Sequence, residues 1–154
     1  MRIAGIVEES VTDGPGIRLA VFFQGCPHDC EGCHNPETHD MSGGKEVTLE
    51  EIVGYMDDPL LDGVTLTGGD PFMQPKDAYL IAKEAHKRGF DVITYTGFTI
   101  EQLLEINDKD MMTLLKESDV LVDGPFILSL RTLDIPFVGS SNQKIIYVKD
   151  FFKK

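Results

Sequence analysis

Every cysteine of the chain falls in one short stretch, Gly25-Cys26-Pro27-His28-Asp29-Cys30-Glu31-Gly32-Cys33-His34-Asn35, at the spacing CxxxCxxC. Thiols this close in sequence converge on one centre when the residues between them are few and turn-forming, as Pro27, Asp29 and Gly32 are. Three thiolates are one short of the four that close a structural zinc site or fully ligate an iron-sulfur cluster. Two metal readings stand. One is a zinc site completed by His28, His34 or His39, although zinc ligands usually come from two separated pairs and a domain of this length does not need a metal to fold. The other is a four-iron four-sulfur cluster with one iron open to a substrate or cofactor. A disulfide framework fails because the cysteine count is odd.

A second constellation is Gly68-Gly69-Asp70-Pro71. Alone it reads as a generic turn, but glycines also let a backbone approach a ligand and present its amides and carbonyls. Asp70 suits fixing such a loop better than titrating. Asp123, Asn142 and Gln143 can contact a ligand or partner, and as turn and strand-edge residues they have an equally good structural explanation. His86 lies in a helical pattern and reads as solvated. No general acid or base stands out.

The elements that must position these residues follow from periodicity. Strands are expected at residues 2–7, at Arg18 to Gln24, at Gly63 to Thr67, at Asp91 to Tyr95, at Val120 to Val122 and at Lys144 to Val148. Thr48 with Glu51 and Thr99 with Gln102 mark two capped helix starts. Pro75 opens another helix, whose face is Ala78, Ile81, Ala82 and Ala85 and whose end is Gly89. Asn107-Asp108 breaks the helix after Thr99, and Met111 to Lys116 resumes as a short helical turn. Strands alternating with helices predict an α/β fold with a mostly parallel sheet of five to six strands. That number falls short of a closed eight-stranded barrel, so the expected form is an open, partial (β/α) barrel with its chemistry at the strand C-terminal ends, where the cysteine and Gly-Gly-Asp loops fall.

At 154 residues the chain is expected to form a single domain, 1–154. Its net charge of -12 argues against a nucleic-acid partner, because phosphate binding wants a basic surface. No apolar run approaches a membrane span, so no membrane partner is expected. The first residues lack a basic segment followed by an apolar stretch, and free cysteines suit a reducing compartment, so the expected location is cytoplasmic.

Three thiols leaving an open iron, with the Gly-Gly-Asp-Pro loop, resemble the radical S-adenosylmethionine (SAM) enzymes. Asp13-Gly14-Pro15-Gly16-Ile17-Arg18 and Cys33-His34-Asn35 resemble the glycyl-radical-enzyme activases within that group. Tyr95-Thr96-Gly97, Val122-Asp123-Gly124-Pro125-Phe126 and Gly139-Ser140-Ser141-Asn142-Gln143 are similar to the activating proteins of anaerobic ribonucleotide reductase. The chain departs from that pattern at Val138, where Arg is frequent.

The resemblance implies the partial barrel of the radical SAM type, with Cys26, Cys30 and Cys33 holding a 4Fe-4S cluster whose open iron binds SAM. It implies SAM contacts from Gly32, Cys33 and His34 and from Gly68, Gly69 and Asp70. The implied reaction is reductive cleavage of SAM to methionine and a 5'-deoxyadenosyl radical, which takes hydrogen from a glycine of the partner. The implied partners are the large subunit of anaerobic ribonucleotide reductase, through its glycyl radical loop, and a flavodoxin-like electron donor. Pyruvate formate-lyase or another glycyl radical enzyme is the alternative substrate, and a non-catalytic zinc or iron-sulfur module the alternative class.

Overall fold

A computed structural model describes residues 1–25, 44–125, 128–130, 138 and 140–152. Within them the strands are β1 (Arg2–Ser10), β2 (Arg18–Phe23), β3 (Lys45–Glu46), β4 (Gly63–Gly68), β5 (Asp91–Tyr95), β6 (Val120–Asp123) and β7 (Lys144–Tyr147). The helices are α1 (Leu49–Gly54), α2 (Pro75–Lys87), α3 (Ile100–Ile106), α4 (Lys109–Glu117) and the single turn α5 (Val148–Phe151). All seven described strands join one sheet in the order β3-β1-β2-β4-β5-β6-β7. The central four, β2, β4, β5 and β6, are parallel. Antiparallel strands flank them, β1 and β3 on one side and β7 on the other.

The mixed α/β class, the parallel centre and the unclosed sheet agree with expectation, and one detail does not. The described sheet has seven strands rather than five to six, because the two-residue β3 pairs with β1 through backbone alone and has no apolar pattern of its own. As expected, the described sheet is not closed, since β3 and β7 lie at opposite ends of the order.

Side chains alternate across the parallel strands and divide the sheet into two faces. On one face Leu19, Val21 and Phe23 of β2, Val64 and Leu66 of β4, Val92 of β5 and Leu121 of β6 meet the helices. The helices contribute Ile52 from α1, Ala78, Ile81, Ala82 and Ala85 from α2, Ile100 and Leu103 from α3, and Leu114 and Leu115 from α4, all buried. The other face carries a smaller cluster of Ile93, Val122 and Val138, with Tyr95 and Val120 against it. Val138, where the chain departs from the motif it resembles, is thus a buried apolar side chain.

Local chemistry sets the helix ends. The Thr99 hydroxyl accepts the Gln102 amide at 3.1 Å while the Gln102 side chain accepts the Thr99 amide at 2.9 Å, a complete capping box. Asn107, at φ 50°, ends α3 in the left-handed region, and Asp108 immediately caps α4 by accepting the Met111 amide at 3.0 Å. That cap and the burial of Leu114 and Leu115 make α4 a nine-residue helix rather than a short turn.

His86 is not simply solvated. Its ring lies between α2 and the α4–β6 turn, with Nδ1 3.1 Å from Glu117 Oε1 and Nε2 2.7 Å from Asp119 Oδ2. Burial alone would lower its pKa, but the hydrogen bonds to Asp119 and Glu117 outweigh burial and raise it above the ordinary 6.5. At the opposite side of the sheet's parallel centre, Arg18 is buried at the N-terminal strand ends. Its Nε donates to Thr65 Oγ1 at 2.8 Å, and its terminal nitrogens donate to the Pro15, Val64 and Asp91 carbonyls and pair with the Asp91 carboxylate at 3.0 Å.

Candidate functional site

Cys26, Cys30, Gly32, Cys33 and His34 lie outside the described residues, but both stems of their segment lie within them. The segment leaves from Gly25, just past the end of β2, and returns at Gly44, just before β3. The stems are close together. A Cβ placed on Gly44 would stand 2.4 Å from the Ile3 carbonyl oxygen and 2.9 Å from Gln24 Cβ, and Gly44 has a φ of 75°. Arg2 donates to the Gly44 carbonyl at 3.2 Å. Gln74 clamps the same corner: its side-chain nitrogen donates to the Arg2 carbonyl at 2.7 Å and the Gln24 carbonyl at 3.1 Å, while its oxygen accepts the Arg2 amide at 2.9 Å.

The Gly-Gly-Asp loop is built into this root. Parallel register puts Gly68 opposite Phe23. The Gly69 amide donates to the Phe23 carbonyl at 2.8 Å, and the Asp70 amide to the Gly25 carbonyl at 2.9 Å. Gly68 has a φ of 100°, and a Cβ there would lie 2.4 Å from the Phe23 backbone nitrogen, so only glycine permits this approach. Gly68 and Gly69 are half-buried and Asp70 is fully buried.

The Asp70 carboxylate holds the next loop. It accepts the Phe72 amide at 3.0 Å, the Thr96 hydroxyl at 2.9 Å and the Gly97 amide at 3.1 Å, which ties the end of β4 to the end of β5. The rim continues to β6, with the Thr96 amide donating to Val122 at 3.0 Å and the Gly124 amide to Phe98 at 2.8 Å. Buried Asp123 accepts the Ile100 amide at 2.8 Å and the Lys144 amide at 3.1 Å. Asn142 donates to the Pro125 carbonyl at 2.8 Å and Gln143 to the Gly124 carbonyl at 3.0 Å. These bonds give Asp123, Asn142 and Gln143 structural work: they join the β6 turn to β7.

The rim therefore brings together Gly25, Gly68, Gly69, Asp70, Thr96, Gly97 and Gly124 at the C-terminal ends of four parallel strands. Below it, Tyr95 lies among apolar groups on the face away from the helices, and burial, then the nearby Asp13 carboxylate, push its phenol pKa well up, so it stays protonated. The donor set suits an iron-sulfur cluster. Three thiols begin at the residue after Gly25, and the adjoining loop is kept free of side-chain bulk where Gly68 crosses β2. Sequence reasoning missed Gln74 and Gly44; the only local signals were a polar residue just before the Pro75 helix start and a glycine pair ahead of β3.

The family model described as "4Fe-4S single cluster domain" matches residues 12–146. The anaerobic ribonucleoside-triphosphate reductase-activating protein of Escherichia coli (strain K12) is 30% identical over 149 residues, covering 90% of this chain and 94% of that protein. Its namesake from Vibrio cholerae is 34% identical over 145 residues, covering 88% and 90% respectively. The pyruvate formate-lyase-activating enzyme of Clostridium pasteurianum is 39% identical over 117 residues, covering 70% of this chain and 49% of that enzyme. On this match, and on relatives aligned over nearly their whole length, the chain belongs to the 4Fe-4S single cluster domain family and, within it, to the family of anaerobic ribonucleoside-triphosphate reductase-activating proteins.

Proposed function

We propose that this chain is a radical SAM enzyme that places a glycyl radical on the large subunit of anaerobic ribonucleotide reductase. Cys26, Cys30 and Cys33 would hold the 4Fe-4S cluster, and SAM would lie between it and the Gly68-Gly69-Asp70 loop. The observation that carries this reading is the bond from the Asp70 amide to the Gly25 carbonyl, 2.9 Å, which fixes that loop against the root of the cysteine segment.

When bound, the cluster supplies one electron to SAM, whose cleavage gives methionine and the 5'-deoxyadenosyl group that takes a hydrogen atom from the reductase glycine. The protein's own part is position and exclusion. Gly68 lets the loop lie close against β2, and Gly69 carries no side chain, so its backbone would be free to meet the amino group of SAM. Asp70 keeps that loop in place through Thr96 and Gly97 rather than by exchanging a proton. The backbones of Gly32 and His34 would lie near the adenine. Ile93, Tyr95, Val122 and Val138 form an apolar wall that keeps water from the site.

The open sheet would curl as a partial barrel of the radical SAM type, in one domain over residues 1–154, and its unclosed side would admit a polypeptide loop. A flavodoxin-like donor would reduce the cluster, and the site of action would be the cytoplasm. Among the described residues no helix is long and apolar enough to cross a membrane.

The second reading is an activase of another glycyl radical enzyme, favoured by the 39% identity to the clostridial enzyme, although this chain spans about half of that protein. Electron paramagnetic resonance separates the two. Reduced, anaerobically reconstituted protein with SAM is mixed with the reductase or, separately, with pyruvate formate-lyase. A glycyl doublet in the reductase tube alone is expected; a doublet with the lyase alone would move the assignment to the second reading.

A further inference from the structure

We propose that Gln74 is a positioning residue for the iron-sulfur cluster, holding both stems of the cysteine segment so that its thiols meet iron from a backbone whose ends are already set. This role rests on Cys26, Cys30 and Cys33 being the ligands. Three successive carbonyls lead into Cys26, and each is held by a different donor from residues 69 to 74. The Phe23 carbonyl accepts the Gly69 amide at 2.8 Å, the Gln24 carbonyl accepts the Gln74 side-chain nitrogen at 3.1 Å, and the Gly25 carbonyl accepts the Asp70 amide at 2.9 Å.

Gln74 reaches the other stem through Arg2. Its side-chain oxygen accepts the Arg2 amide at 2.9 Å and its nitrogen donates to the Arg2 carbonyl at 2.7 Å, as a neighbouring strand would. The Arg2 guanidinium in turn donates to the carbonyl of Gly44, where the segment returns, at 3.2 Å. One acceptor and two donations are in use at the Gln74 amide, and the Arg2 N–H, which can only donate, fixes which end is oxygen. A carboxylate of the same shape offers no donor to the Arg2 and Gln24 carbonyls.

Helix formation does not account for this residue. Gln74 stands at the N-cap of α2, yet its side chain makes no capping bond there, and caps favour Ser, Thr, Asp or Asn. Its backbone is fixed on both sides, the Gln74 amide donating to the Pro71 carbonyl at 3.0 Å and the Ala78 amide to the Gln74 carbonyl at 3.0 Å. The clamp is therefore carried on the same short turn that begins at Asp70, and the Gly-Gly-Asp loop and the grip on both stems move as one piece. Metal binding must cover the cost of ordering its ligands, and stems held beforehand remove part of that cost.

The test compares anaerobically reconstituted parent protein with Gln74→Ala, Gln74→Glu and Arg18→Lys, the last destabilised at the opposite strand ends. EDTA strips the iron, electron paramagnetic resonance records the reduced cluster, and thermal midpoints of the cluster-free proteins show that each is folded. Both Gln74 variants are expected to lose iron about tenfold faster than the parent, for two donated bonds removed, and to broaden the reduced-cluster signal. Arg18→Lys is expected to do neither despite its lower midpoint. Because Gln74→Glu keeps the side-chain size and the acceptor for Arg2, its loss of iron reports the missing donors and not packing. Iron loss at the parent rate in the Gln74 variants, or equally fast loss in Arg18→Lys, would overturn the role. A Cys26→Ala protein that keeps its full iron would instead overturn the ligand assignment, and the role of Gln74 with it.

Discussion

The Asp70 amide donates to the Gly25 carbonyl at 2.9 Å, which makes the Gly-Gly-Asp loop and the root of the cysteine segment one hydrogen-bonded unit. Gly69 adds a second bond, to Phe23, one step back along the same strands. Two motifs about forty residues apart in sequence are held together by backbone, so their relative placement does not depend on side-chain rotamers.

Gly68 is where this unit is most sensitive. At φ 100°, with a would-be Cβ 2.4 Å from the Phe23 nitrogen, Gly68→Ala must shift backbone and is expected to destabilise the cluster-free protein by roughly 3 kcal/mol. Gly54→Ala, in α1 with nothing within 4 Å of its would-be Cβ, is expected to be neutral or stabilising by about 0.5 kcal/mol. Urea unfolding of both variants checks the contrast.

Asp70→Ala removes the acceptor for the Phe72 amide, the Thr96 hydroxyl and the Gly97 amide in a fully buried place. The expected loss is about 3 kcal/mol. Asp70→Asn keeps one acceptor oxygen and is expected to lose roughly half of that. Faster hydrogen exchange at the Gly97 amide in both variants identifies the broken link.

Arg18→Lys is not conservative here. The guanidinium spans Thr65, Val64 and Asp91 at 2.8, 2.9 and 3.0 Å, and a single ammonium cannot reach all three. A loss of about 3 kcal/mol is expected by urea unfolding. Asp91→Asn, at a half-exposed carboxylate, is expected to cost no more than about 1 kcal/mol.

How far such features were legible follows from their range. The apolar run from Leu19 to Phe23, the Thr99–Gln102 box and the Ala78–Ala85 face announce themselves within a few residues, and all formed as expected. The site motifs could be found as motifs, and the structure adds the contact between their ends. The His86 pairing could not be read, because Glu117 and Asp119 stand 31 and 33 residues away and no periodicity encodes that distance. Gln74 is similar: its partners Arg2 and Gln24 come from two other strand ends that meet only after the sheet forms. β3 escaped because two residues carry no pattern.

The His86 contacts make stability depend on pH in a definite sense. A histidine whose folded pKa is raised contributes fully below its unfolded value of 6.5 and loses that contribution as pH rises through the folded pKa above it. The thermal midpoint of His86→Gln should therefore fall further below that of the parent at roughly pH 5.5 than at roughly pH 8.5, either side of the ordinary histidine range. An equal difference at both would show that the ring acts by packing alone.

The origin of the hydrogen atom decides the central assignment most directly. Reduced, reconstituted protein is given SAM and a reductase grown on glycine deuterated at its α-carbon, and the 5'-deoxyadenosine released is weighed by mass spectrometry. Deuterium in that product, dependent on Cys26, Cys30 and Cys33, is predicted. Unlabelled 5'-deoxyadenosine, or none, from a protein that binds its cluster would contradict an activase of this reductase.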